Sequence, residues 1–435
     1  MTTAKKKVLI ISYYWPPAGG VAVQRWYKFA TYLPEFGYEP IIFTVKDGEF
    51  GALDHSKDDL SDRITVLREP ILEPYKLYKK FTGKKSEDKI KQEAFSGSQG
   101  KEGLAVWIRG NFFIPDARKY WVKRSVKRLS SFLRENHVDA IISNGTPHSC
   151  HLIGMKLKRK FNIPWLADFR DPWTKVDYFD DLKLTSLARR KHYRLEYNVL
   201  ENADAVTTVS KTWEQDFAQL GAKNTATITN GFDRSDFSDL HHKDSDKFVI
   251  THLGTLSKFR FHEEFWNGIL EKVKKDPAFK QQLEIRLIGN VDETFFRYFH
   301  RTSLIENVVH ISHLDHKEAL AHAVSSDALL LLLGHKSMSE GRIPAKVFEY
   351  LAVAKPILAY GQSPSDVEKI ILESNAGIFV PFDDSNGLNK ALDELFLQFK
   401  TGNTLVEPKG IEKFERKNLT AELANVLDGI TGNGN

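Results

Sequence analysis

The chain has 435 residues, 41% of them hydrophobic and 27% charged, with a formal net charge of +5. That length exceeds one ordinary core and predicts two or three domains, while the composition excludes global disorder. The small positive charge suits anionic small molecules or an anionic membrane face and gives no indication of nucleic acid; the single cysteine, Cys150, excludes an intramolecular disulfide framework and points to a reducing compartment.

In chain order, VLIISYYW at 8–15 follows three lysines. It is short, ends at a Pro-Pro turn and reads as a buried strand, not a secretory signal. A Pro/Gly loop, Pro16 to Gly20, leads into a predicted helix over about 22–36 and a strand PIIFTV. A lysine-rich segment at about 76–104, ending in SGSQG, interrupts the pattern and reads as an exposed excursion. Strands follow at DAIISN (139–144), PWLADF (164–169), AVTTVS (205–210) and ATITNG (226–231), with a helix carrying Leu152 and Met155 between the first two. The polar run HHKDSDK reads as a linker.

The alternation restarts at 248 with FVITHLG, LEIRLIGN, VVHIS, ALLLLLG, PILAYG and GIFVP. Its strongest apolar run, Ala328 to Leu333, falls far short of the roughly 18 residues that span a bilayer. The expectation is a soluble or peripheral protein. Short strands alternating with helices predict an α/β fold with parallel sheets. The predicted domains are 1–235, 236–408 and a terminal helix at 409–435, whose Leu419, Leu423, Val426 and Leu427 recur at helical spacing.

Most of these strands stop at a small residue and a loop, where parallel sheets bind ligands. Gly19 and Gly20 let backbone approach a ligand, with Arg25 on the helix behind them; a plain tight turn is the alternative. No GxGxxG is present, so the dinucleotide fingerprint is absent. Asp168, Arg170 and Asp171 cluster just past a strand, where they either floor a cleft or fix the loop as an Asp–Arg pair. His148 lies at another strand end. Gly254 and Gly289 close two strands of the second half. The richest stretch is Ser339 to Ala352. Pro344 suits a first helical turn, and Lys346, Glu349 and Tyr350 then fall within about one turn. A cation for phosphate and a carboxylate for ribose hydroxyls match two parts of a nucleotide diphosphate; the alternative is a surface i,i+3 ion pair.

The chain resembles the GT-B-fold glycosyltransferases of family 4, the large retaining group. The resemblance rests on PPAGG with Arg25, DFRDPW, ADAVTTVS, ITNGFD, GTLSKFR, RLIGN and above all RIPAKVFEYLAVAKPILA at 342–359. It runs in order over nearly the whole chain and is closest in wording to a branch of bacterial polysaccharide and glycolipid assembly enzymes. It implies two Rossmann-like domains with parallel sheets facing a central cleft, and a terminal helix returning to the first domain. It also implies a nucleotide diphosphate sugar as substrate and no cofactor; with no Asp-x-Asp pair evident, the expectation is no metal. Arg260 and Lys346 would stabilise the leaving diphosphate, with His148 as a third catalytic candidate. Glu349 would bind ribose, and Gly254, Thr255, Gly289, Gly341, Pro344 and Tyr350 would line the donor. Gly19, Gly20, Arg25, Asp168, Arg170 and Asp171 would serve the acceptor.

Three departures stand out. The family often shows two glutamates separated by seven residues. Glu349 matches the second, Gly341 holds the first position and Glu340 is one residue away. The family's Gly-Arg-…-Lys pair falls on Gly254, Thr255 and Arg260, so the first cation is missing. His313 stands where a glycine is common. The expected acceptor is a glycan or lipid-linked sugar on the cytoplasmic membrane face. The 76–91 lysines, with Tyr75, Tyr78 and Phe81 among them and the aromatic stretch Trp107 to Phe113 soon after, suggest peripheral contact with anionic lipid. A sugar-nucleotide epimerase of the same fold, or a non-catalytic sugar-nucleotide-binding assembly subunit, is the alternative function.

Overall fold

The computed structural model describes residues 5–51, 53–54, 60–71, 101–176, 179–243, 245–312, 314–334 and 340–432. The 76–91 lysines, Ser339 and His313 lie outside these residues. The chain forms two compact units: one runs to Thr229 and resumes at Arg416, and the other is Asn230–Glu415.

The first unit has one parallel sheet of β1 (Lys6–Ile11), β2 (Tyr38–Val45), β3 (Thr65–Glu69), β4 (Ala140–Gly145), β5 (Trp165–Phe169), β6 (Ala205–Thr208) and β7 (Thr225–Thr227). The order is β3-β2-β1-β4-β5-β6-β7. Successive residues of each strand point to opposite faces. Leu9, Ile11, Phe43 and Ile141 therefore enter one core, and Val8, Ile10, Ile42 and Ile142 enter another. Burial on both faces explains why β1 and β4 read as continuous apolar runs.

Near the start of the chain the structure differs from the sequence reading in two ways. The first strand ends at Ile11, and Ser12 just after it donates its hydroxyl to the Tyr14 carbonyl (3.0 Å). The helix expected over 22–36 is α-helical only at Val21–Tyr32 and tightens to a 3-10 turn at Leu33–Phe36, since Pro34 brings no backbone donor.

The helix Arg416–Thr431 belongs to this unit. Its Leu419, Leu423 and Leu427 join the Val8/Ile10 core. Asp428 accepts hydrogen bonds from Lys6 Nζ (2.8 Å) and from Tyr38 Oη (2.8 Å), tying the end of the chain to the start of β1 and β2.

The second unit repeats the plan with β8 (Phe248–Leu253), β9 (Leu283–Ile288), β10 (Val308–Ile311), β11 (Ala328–Leu332), β12 (Ile357–Gly361) and β13 (Gly377–Pro381). Its order is β10-β9-β8-β11-β12-β13. The units part at 229/230 and 415/416, against the expected 235 and 409. The cause is packing. Phe232, Ile411 and Phe414 share the second unit's core. Phe232 N also donates to Phe414 O (3.1 Å). In both sheets the order reverses at the first strand, β1 beside β4 and β8 beside β11, so each unit has one topological switch point where a ligand can reach the strand ends.

Candidate active site

At the second unit's switch point β8 runs out at Leu253 and the chain turns at Gly254, whose φ of +87° suits glycine. The neighbouring β9 ends at Gly289, with φ +118°. A Cβ on Gly289 would sit 2.8 Å from the Gly254 carbonyl oxygen, so the two loops pack backbone against backbone. Gly254 and Thr255 are exposed in front of the sheet.

The helix Lys346–Val353 starts beside this edge, with Val347 N donating to Pro344 O (3.0 Å). Lys346 Nζ donates to the Leu253 carbonyl and lies 2.9 Å from His252 Nε2. Arg260 ends a short 3-10 turn and donates from NH1 to Thr255 O (3.2 Å). Glu349, one turn beyond Lys346, has Oε1 3.0 Å from His316 Nε2. Two cations thus flank the exposed Gly254–Thr255 backbone, with a carboxylate one helical turn beyond the lysine.

The electrostatics favour an anion. Burial holds the Lys346 ammonium well below its usual range, and the nearby Arg260 adds to this; Glu349 opposes it. His252 is held down in the same way, by burial first and then by Lys346 and Arg260. A desolvated ammonium beside a guanidinium gains when negative charge arrives.

Several expected donor residues behave differently. Tyr350 is corrected from ligand to scaffold: it is 0% exposed, accepts from Leu253 N (2.9 Å) and donates to Leu330 O (3.4 Å). Gly341 is buried, and Pro344 is half-buried just ahead of the helix. Glu340 is tied to the loop after β12: its carboxylate accepts from Gln362 Nε2 (3.2 Å) and its carbonyl from Asp366 N (2.9 Å). Sequence reasoning missed His252 and His316. For His252 a signal existed, a histidine inside the apolar run FVITHLG two residues before the glycine.

In the first unit, Arg25 and Asp168 are corrected from acceptor residues to core. Asp168 is 0% and Arg25 2% exposed. Arg25 donates twice to the Asp168 carboxylate (3.2 and 2.9 Å) and once to Thr229 O (2.8 Å). Trp26 Nε1 (3.1 Å) and Thr207 Oγ1 (2.8 Å) donate to the remaining lone pairs of the same carboxylate. This buried ion pair is well supplied with partners inside the unit.

Arg170 and Asp171 do sit at the carboxyl end of β5, paired at 2.8 Å, with Arg170 NH2 also donating to Thr146 Oγ1 (3.1 Å). Gly20, at φ +94°, opens the helix Val21–Tyr32, and a Cβ on Gly19 would meet Asp54 Cβ at 3.2 Å. His148 lies at the carboxyl end of β4, stacked on Trp173 with centroids 4.7 Å apart and planes 6° apart. Burial keeps it neutral, and its Nδ1 has no protein partner. Trp173 is fixed in turn: Nε1 donates to His192 Nδ1 (3.0 Å), and its backbone N–H to Glu196 Oε1 (3.2 Å). These supports also escaped the sequence reading.

Two doubly wound parallel units in one chain, the second carrying an anion-seeking cluster at its switch point, are the architecture of a GT-B glycosyltransferase. The chain belongs to Glycosyltransferase Family 4, whose family model matches residues 18–236, half of its length. No curated protein matches it by sequence. Solved structures share the fold at low identity. Sucrose-phosphate synthase from Thermosynechococcus elongatus is 15% identical, with a TM-score of 0.64 over 99% of this chain and 100% of that one. A glycosyltransferase from Rickettsia africae ESF-5 is 13% identical, with a TM-score of 0.62 over 98% and 99%. WaaG, a glycosyltransferase involved in lipopolysaccharide biosynthesis, is 11% identical, with a TM-score of 0.53 over 98% of each chain.

Proposed function

We propose that this glycosyltransferase moves a hexosyl-type unit from a nucleotide diphosphate sugar to a hydroxyl acceptor, with retention at the anomeric carbon and without a metal ion. The observation that carries this reading is the half-buried Lys346 ammonium, held by His252 and the Leu253 carbonyl beside the exposed Gly254 backbone. Departure of the diphosphate concentrates negative charge on oxygen. Fixed cations and N–H dipoles aimed at that charge lower the barrier without reorganising. Glu349, on the same helix face region as Lys346, takes the ribose hydroxyls. In the first unit, Gly19, Gly20, His148 and the Arg170–Asp171 pair serve the acceptor. His148 is kept neutral by burial, and its buried Nδ1 has no protein partner.

The acceptor is a lipid-linked sugar or growing glycan at the cytoplasmic membrane face. Among the described residues no helix is long and apolar enough to cross a membrane. Surface contact is supported by exposed Phe112 and Tyr120, with Lys119 Nζ 4.8 Å from the Tyr120 ring centroid. Incubating the protein with nucleotide sugars and a membrane-lipid extract tests the whole reading by mass spectrometry. Sugar transfer to lipid is the expected product. Epimerised donor, or unchanged donor across the panel, would replace this function with the epimerase or binding-subunit alternative.

A further inference from the structure

His252 is buried in β8, one residue before the strand's end, and no part of the proposed donor chemistry requires a histidine there. Its Nδ1 lies 2.9 Å from the Leu330 carbonyl oxygen of β11. A carbonyl can only accept, so Nδ1 carries the proton and Nε2 presents a lone pair. That lone pair is aimed at Lys346 Nζ, 2.9 Å away on an element 94 positions along the chain. The ammonium's other contact with β8 is the Leu253 carbonyl. Two of its three hydrogens are thus directed into the sheet edge, and one is left for the side where Gly254 exposes its backbone, whose added Cβ would stand 3.4 Å from Nζ.

We propose that His252 is a positioning residue, a neutral acceptor that seats Lys346 so that its remaining N–H faces the donor diphosphate. The inference rests on the donor-site reading above. The choice of side chain has a physical reason. A carboxylate at this place would also fix the ammonium, but it would cancel the charge that the phosphates need and compete with them. An aliphatic residue would leave a long, flexible lysine stem with only one anchor. Imidazole fixes geometry and leaves the charge in place. It stays neutral because burial, Lys346 and Arg260 disfavour its protonation more than the Leu330 and Thr255 carbonyls favour it. Tyr350 completes the seat from the helix side, bridging Leu253 N and Leu330 O, so the strand atoms that hold His252 and Lys346 are themselves fixed.

Two substitutions separate seating from simple packing. His252→Asn can keep the donor to Leu330 O but removes the acceptor for Lys346. His252→Gln can keep an acceptor at the Nε2 position and gives up the bond to Leu330. Binding of inorganic pyrophosphate is measured by calorimetry on the full chain, with the thermal midpoint recorded for each variant. We expect Lys346→Met and His252→Asn each to weaken binding by about tenfold or more, the scale of a charge-assisted hydrogen bond. His252→Gln should stay within about threefold of the unaltered protein. If Asn and Gln both bind as the unaltered protein does while Lys346→Met does not, His252 has no seating role and the donor site stands. If both lose affinity equally, the histidine acts through packing and the inference is overturned. If the unaltered protein does not bind pyrophosphate, or Lys346→Met binds it equally well, the donor-site reading itself fails.

Discussion

Lys346 and Glu349 lie three residues apart, yet they go to different partners: the lysine to His252 and the Leu253 carbonyl, the glutamate to His316. This disposes of the surface ion-pair alternative and leaves the carboxylate at the rim of the cluster. Removing it with Glu349→Ala should weaken nucleotide diphosphate binding by about 10–150-fold, the equivalent of roughly 1.5–3 kcal/mol for a charge-assisted hydrogen bond. Glu340→Ala should do much less, because Glu340 is occupied by Gln362 and its backbone by Asp366. Equal losses in a titration of both variants would mean that the ribose carboxylate is misassigned. The sequence marked Lys346, Glu349, Gly254 and Gly289 because they sit in local patterns, a helix start and strand-ending glycines. A histidine inside the apolar run FVITHLG hinted at His252, but its partners and those of His316 lie far along the chain and left no pattern in the sequence. Asp168 misled for a related reason. A strand-end position is visible in sequence, but whether the carboxylate turns outward or toward an arginine 143 positions away is not.

Among the elements, the long apolar strands were legible and the edge strand was not. β1, β4, β8 and β11 are covered on both faces and read as near-continuous apolar runs. β3 pairs only with β2 and carries no fully buried residue, so TVLRE gives little periodic signal. The terminal helix announced itself by spacing alone, and its leucines are buried in the first unit. Leu423 is 1% exposed there. Leu423→Ala should therefore cost about 2–5 kcal/mol, as for other core truncations of leucine. A thermal midpoint unchanged by this variant would show that the helix is not a structural part of that unit.

For the molecule as a whole, stability should depend on a set of buried histidines. Burial lowers the pKa of His148, His192 and His252, and takes His151 down to about 3. The folded state then binds fewer protons than the unfolded chain, whose histidines titrate near 6.5. Stability is complete above about pH 6.5 and falls as pH drops, by about 1.4 kcal/mol per pH unit for each such histidine. Glu196, Asp327 and Glu422, raised by burial, work in the opposite sense, with their effect centred near the lower carboxylate range. The thermal midpoint should fall between pH 6.5 and 5; a flat profile there would contradict the burial of these rings.

The central claim is that the second unit's cations act on the leaving diphosphate. Arg260 tests it most directly, because it is half-buried on a short 3-10 turn and donates from NH1 to the Thr255 carbonyl. The decisive measurement is the turnover of Arg260→Ala with the donor identified by the transfer assay, alongside its thermal midpoint. The account predicts a rate about 100-fold lower or more, the range for loss of one preorganised donor, with the midpoint unchanged. Turnover that stays within a few-fold of the unaltered enzyme, or a midpoint that collapses together with the rate, would contradict it.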